Sequence, residues 1–311
     1  MDTHKSRAAM RNLIGFLFGF ALLALAGVPA MHAQTDVTGV IDIHAHSDPD
    51  SMPRSIDAID LAKLAKARGM RGIVLKNHYE STAALAYVVR KEVPGLEVFG
   101  GIDLNLTVGG LNPAAVERMA MLKGGYGKVV WFPTFDNENA VKVDKSNRPF
   151  IVISKNGQLV PEAVAVIAMA KKYNLTLETG HSSASDGLLI VHEAHKQGVE
   201  HIVVTHAMAT PVLMTIPQMK EAVADGAYIE FVNNATRVAN PSVSMDQYVE
   251  AIRAIGPQHC ILASDSGGLG GAPLHPDAMA MIMGAMLKAG FSQADVDLMA
   301  KTNPARALGL Q

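Results

Sequence analysis

Eight short apolar segments recur along this chain, with helical patterning between them, and that order restricts the fold more than any other feature. The segments are Val40–Ile43, Gly72–Leu75, Leu96–Phe99, Val129–Trp131, Leu175–Leu177, Ile202–Thr205, Ala227–Val232 and Ile261–Ala263. Each is rich in β-branched or aliphatic residues and lacks clean polar alternation, as strands buried on both faces of a parallel sheet do. Between them, Ile56–Arg68 is amphipathic and stops at Gly69, a residue suited to a left-handed helix cap. Pro113–Leu122, Pro161–Tyr173, Asp186–Gln197 and Met245–Ile255 repeat the pattern, with Pro113 and Pro161 at first-turn positions where a missing N–H costs little. The order predicts an α/β protein, a closed (β/α)8 TIM barrel rather than an open doubly wound sheet.

One stretch breaks the rhythm. Thr134 to Val160 follows the fourth strand and contains Phe150–Ser154, then Asn156-Gly157, then Gln158–Val160, the signature of a hairpin. Leaving the C-terminal end of a strand, this insertion is expected to overhang the active-site face.

The first 33 residues are set apart. Lys5, Arg7 and Arg11 precede an apolar run from Leu13 to Val28, with small residues Ala30 and Ala33 as cleavage points and Gln34 as the new N-terminus. This is the pattern of a secretory signal peptide, too short to span a bilayer comfortably. The expectation is export to a periplasmic or extracellular space as one domain over 34–311, with no stable membrane association after cleavage. Removal of 1–33 takes away three of 27 cationic and one of 29 anionic side chains, leaving a formal charge of −4. No basic stripe invites nucleic acid; a small molecule is the expected partner, and a homo-oligomer stays open. The single cysteine, Cys260, rules out an internal disulfide and a thiolate metal site.

The chemistry gathers at strand ends. In Val40–His46 the two histidines stand two residues apart, so His44 and His46 project from one side of one strand end. Two imidazoles placed so can grip one ion, each at about 2.0–2.1 Å. Three more candidate ligands follow other strands: His181 after the fifth, His206 after the sixth and Asp265 after the eighth. In a parallel barrel these positions converge on one mouth. Imidazoles with a carboxylate suit a divalent metal, zinc first, with manganese or iron as alternatives. Asp265 is the candidate general base, and His206 either ligates a second ion or stabilises the transition state.

This set, His44-Ala45-His46, His181, His206 and Asp265, resembles the ligand order of the amidohydrolase superfamily. Asn303 to Leu310 (Asn-Pro-Ala-Arg-Ala-Leu-Gly-Leu) is similar to the terminal motif by which that family closes its barrel. The resemblance implies a mononuclear or binuclear metal centre and attack of activated water on an amide, lactone or ester-type bond. Many binuclear members carry a bridging carbamylated lysine or glutamate on strand four, and a carbamylated Lys76 would supply such a carboxylate. Here that strand ends in Trp131-Phe132-Pro133-Thr134, and only Lys76 or His78, after strand two, could reach the centre as a bridge or a substrate contact. The missing bridge keeps a non-oxidative decarboxylase open as an alternative reaction. A metal-dependent binding protein without turnover is a third reading, disfavoured by retention of Asp265.

Asn105, Asn233 and Arg237 are further candidates for lining the pocket, Arg237 through its planar fork. Glu178, three residues before His181, is placed to orient an imidazole. His192 and His195 fall on a helix away from the mouth and read as solvated.

Overall fold

In the computed structural model, residues 35–237 and 241–310 are described; the segment read as a signal peptide lies outside them. Eight parallel strands make one sheet: β1 (Ile41–Ala45), β2 (Gly72–Leu75), β3 (Glu97–Asp103), β4 (Gly127–Trp131), β7 (Thr176–Glu178), β8 (Ile202–Val204), β9 (Tyr228–Val232) and β10 (Cys260–Ala263). Between β4 and β7 stands a separate antiparallel pair, β5 (Ser154–Lys155) and β6 (Gln158–Leu159). Every residue of β1, β2, β8 and β10 is buried, which is why these strands carry no polar alternation.

The sheet closes between its first and last strands. Asp265 N donates to His44 O at 3.0 Å, His46 N donates to Ser266 O at 3.0 Å, and Ala45 bridges Ser266 in parallel. The barrel is therefore a nearly closed (β/α)8 structure, with its joint at the strand ends that carry His44, His46 and Asp265.

The helices that wrap it start and stop where local chemistry requires. Helix α1 (Ala58–Ala67) is capped by Asp57, whose carboxylate accepts from Ile59 N and Asp60 N, and Gly69 follows at φ +77°. Pro113 opens α3 (Pro113–Ala120) and Pro161 opens α5 (Pro161–Lys172). The remaining outer helices include α2 (Ala83–Glu92), α6 (Ala184–Lys196), α7 (Ile216–Ala224), α8 (Met245–Ile255) and α9 (His275–Lys288). Leu61, Val166, Ile190, Met219 and Ile252 project from five of these helices into the core and are fully buried. Truncating one of them to alanine would cost about 2–5 kcal/mol. At the chain end, Asn303 Nδ2 donates to Pro257 O (3.0 Å) and Cys260 O (2.8 Å), and Thr176 Oγ1 donates to Ala307 O (2.7 Å). The terminal motif thus ties β10 and β7 together.

The hairpin forms around Asn156 (φ 53°) and Gly157 (φ 73°), the left-handed pair that a two-residue turn demands. Its position corrects the sequence expectation. Ser154 Oγ donates to Asp186 Oδ1 at 2.6 Å, and Gly157–Leu159 face Leu189, His192, Glu193 and Lys196 across a shallow cleft. The hairpin lies along α6 and does not cover the mouth; from the same insertion, Phe135 does reach it.

Candidate metal centre

Alternation along β1 sends His44 and His46 to the same side, and closure of the barrel brings Asp265 to meet them. His44 Nε2 and His46 Nε2 each lie 3.2 Å from Asp265 Oδ1, and a ligand atom from each of the three residues fits within 4.8 Å of the others. Ligands held at ~2.0–2.1 Å around one ion stand roughly 3.0–3.4 Å apart, so these separations fit an ion between them.

The protonation chemistry points the same way. His46 Nδ1 donates to Lys76 O at 2.7 Å, which turns the Nε2 lone pair towards the Asp265 carboxylate. Burial holds the His46 imidazole well below its usual pKa and lowers that of His44, so both are neutral. Burial opposes charge on Asp265 too, yet positive neighbours at His44 and His46 would hold its carboxyl well below the usual range. A divalent cation held by these three residues would supply positive charge between them.

His181 and His206 line the same cavity, of about 290 Å³, together with His44, His46, His78 and Asp265. The five imidazoles form a ring of neighbours, with centroid distances of 5.2 Å (44–46), 4.8 Å (46–78), 6.3 Å (78–181), 4.9 Å (181–206) and 5.9 Å (206–44). His181 and His206 stand outside the tight group of three, and each has a buried Nδ1 with no hydrogen-bond partner among the described residues. His206 and Asp265 both adopt positive φ, +27° and +51°, an uncommon conformation for non-glycine residues.

Beneath the ring lies a layer of buried ionisable side chains that sequence reasoning mostly missed: Asp42, Lys76, Asp103, Glu178 and Glu230. Glu230 carries the most consequence. Its carboxylate meets His44 Nδ1 at 3.2 and 3.3 Å and accepts from His206 N at 2.8 Å, so one side chain orients two site residues. Glu178, expected in that role, instead accepts from Thr205 Oγ1 at 3.0 Å, and its other oxygen has no hydrogen-bond partner. Burial pushes the Glu178 carboxyl up, as does the charge of Glu230, whose own carboxyl burial also raises. Asp42 accepts from Ser264 N (3.0 Å) and Ser264 Oγ (2.5 Å), and burial pushes it up to about 6. The signal was present in the sequence: an acid in the middle of an apolar strand, as in Ile41-Asp42-Ile43 and Ile229-Glu230-Phe231, faces a barrel interior.

Lys76 is fully buried. Its Nζ sits 3.4 Å from Asp103 Oδ2 and 5.4 Å from the Trp131 ring centroid, and it does not line the cavity. Burial pushes Asp103 up to about 7 against the pull of Lys76. His78 does line the cavity, stacked between His46 and Phe135, with Nδ1 2.9 Å from Thr134 Oγ1. Asn105 is a buried clamp: Nδ2 donates to His78 O (2.7 Å) and Thr134 Oγ1 (2.8 Å), while Oδ1 accepts from Thr134 N and Asp136 N. Asn233 and Arg237 line an adjoining cavity of about 330 Å³ with Asn234 and Gly270. Gly267 (φ +118°) packs so tightly on His46 that a Cβ there would fall 2.2 Å from the His46 carbonyl oxygen.

The chain is a barrel with a histidine and aspartate cluster at its C-terminal mouth, and solved structures share the barrel fold. An organophosphorus hydrolase from Deinococcus radiodurans superposes with a TM-score of 0.60 at 14% identity, covering 88% of this chain and 93% of its own. A phosphotriesterase homology protein from Escherichia coli, complexed with phosphate in its active site, gives 0.59 at 17% identity over 88% and 99%. A 2,6-dihydroxybenzoate decarboxylase from Rhizobium gives 0.54 at 12% over 88% and 99%. These neighbours are phosphotriesterase-like and amidohydrolase-superfamily proteins, and the likeness is one of fold. No curated protein matches the sequence. Residues 39–230 match the family described as "Family of unknown function (DUF6282)", and the chain belongs to that family.

Proposed function

We propose that this protein is a metal-dependent hydrolase of small molecules that holds one divalent ion, zinc in the first instance, through His44, His46 and Asp265. The single observation that carries the reading is the convergence of two Nε2 atoms on one carboxylate oxygen at 3.2 Å. When bound, the ion would polarise the scissile bond and make water a competent nucleophile near neutral pH.

The protein's own groups do the rest. Asp265 engages the imidazoles through Oδ1, and Oδ2 makes no hydrogen bond among the described residues, so Oδ2 accepts the proton of attacking water and returns it to the leaving group. His181 and His206 face the cavity with neutral imidazoles, since burial lowers both pKa values, and His206 stabilises developing charge or contributes a further ligand. Glu230 fixes His44 and the His206 backbone, and Lys76 O fixes His46. Phe135 and His78 wall one side against water. Lys76, paired to Asp103 beneath the site, serves as a buried counter-charge and not as a bridge.

Decarboxylation on the same barrel is the second reading, favoured by one observation: β4 ends in Trp131, Phe132 and Pro133, with no group able to bridge two ions. A panel of lactones, amides, esters and phosphotriesters, run beside aromatic and unsaturated carboxylates with detection of carbon dioxide, separates them. Hydrolysis lost in Asp265→Asn is the expected result. Carbon dioxide release without water uptake would transfer the site to the lyases, and tight binding of panel members with no product would make it a binding protein.

Export belongs to the same proposal, with 34–311 as the mature domain. N-terminal sequencing of the cell-made protein should begin at Gln34.

A further inference from the structure

The loop 46–57 leaves β1 directly after His46 and folds back across the mouth. Asp48 N donates to Ile56 O at 2.9 Å and Ala58 N to Asp48 O at 2.8 Å, which pins the two ends of the loop to each other, and Ser55 N donates to Gly267 O at 3.0 Å, which ties its return to the segment after β10. This delivers Arg54 into the wall of the cavity beside His46, His78, Asp265 and Gly268. Its side chain is only 7% exposed, an unusual position for a guanidinium. Asp50, itself fully buried, engages one edge: Arg54 Nε donates to Asp50 Oδ2 at 2.6 Å, and Nη2 lies 2.6 Å from the same oxygen. Nη2, though this close to Asp50, makes no well-directed hydrogen bond, and Asp50 Oδ2 is the one acceptor given for this guanidinium among the described residues. A guanidinium has five donors in a planar fork, so most of its donor capacity is unspent.

We infer that Arg54 is the substrate-recognition residue of this site, and that the substrate class is a small anion carrying a carboxylate or phosphate group read by the free edge of the guanidinium. The inference rests on the metal-dependent reading above. A buried donor such as Nη2 without a well-directed hydrogen bond is costly unless a ligand supplies the acceptor, and a carboxylate or phosphate matches the fork. Size agrees too: a cavity of about 290 Å³ suits a small molecule. Asp50 holds the fork in place, so less freedom is lost on binding.

Titration calorimetry with inorganic phosphate and with malonate, on purified protein whose metal content is measured in the same samples, tests this. Arg54→Gln should weaken both ligands at least tenfold while metal content stays at the wild-type level. Asp50→Asn, which keeps an oxygen to hold Nε but removes the competing negative charge, should tighten them several-fold, a direction that misfolding cannot produce. Wild-type protein that binds neither anion, or loaded variants that bind both anions as wild type does, would overturn the inference. Metal-free wild type after reconstitution would instead sink the metal reading, and anion binding that still depends on Arg54 in that protein would leave this one standing.

Discussion

Two sets of histidines set beside carboxylates occupy this molecule, and they behave oppositely. At the barrel mouth, His44 and His46 face Asp265 in a buried cluster, and burial lowers their pKa values. On α6, His192 stands between Asp225 and Glu221 near the surface; burial opposes its charge, but hydrogen bonds to the two acids outweigh it and raise its pKa. Identical residue types give a neutral buried cluster in one place and a solvated ion pair in the other. The difference lies in solvent: water screens charge on α6, and burial disfavours it at the mouth.

That contrast can be broken most forcefully at Asp265. Asp265→Asn should lower turnover by about 10²–10⁴-fold, the range of a lost general base, with an unchanged circular dichroism spectrum. Full turnover would remove Asp265 from the chemistry. Next in size, Glu230→Gln should weaken metal affinity about 10–100-fold in a chelator competition, because His44 exchanges a charged orienting acceptor for a neutral one. Unchanged affinity would show that the barrel alone positions the ring.

The pH response sharpens the comparison. Burial holds His275, packed beneath the mouth, down at about 4. Its folded pKa lies below the unfolded value, so the unfolded chain binds the proton first, and stability is lost as pH falls from about 6.5 towards 4. That loss is on the order of 3 kcal/mol, and His275→Gln should flatten it in denaturant titrations. His192 has the opposite sign: its contribution is present below about 6.5 and lost as pH rises through its raised folded value. Because His192 is about half exposed, His192→Ala should change stability by only a few tenths of a kcal/mol, and less in high salt. A larger effect would mean that α6 is not the solvated region described here.

Much of this was legible in the sequence because two periodicities carried it. Alternation along β1 put His44 and His46 together, and the eightfold strand order put His181, His206 and Asp265 at the same mouth. The Asn156-Gly157 turn was legible for the same local reason. What escaped depended on tertiary packing. The course of the hairpin is set by the Ser154–Asp186 contact with α6, which no local pattern announces. Arg54 sits eight residues past His46 in a loop whose return depends on a bond to Gly267. Glu230 and Asp42 look like interruptions of apolar strands until the barrel closes around them. Asn105, a plausible pocket residue by position, is consumed by the β3–β4 loops, and Glu178 lost its expected role because Thr205 claims its carboxylate.

The central claim is that the barrel joint holds an ion between His44, His46 and Asp265. Elemental analysis of purified, zinc-reconstituted protein beside His46→Ala tests it most directly. The account predicts one tightly held divalent ion per chain in the wild type and its loss in the variant. Equal metal content in the two proteins, or a wild type that takes up none, would contradict it.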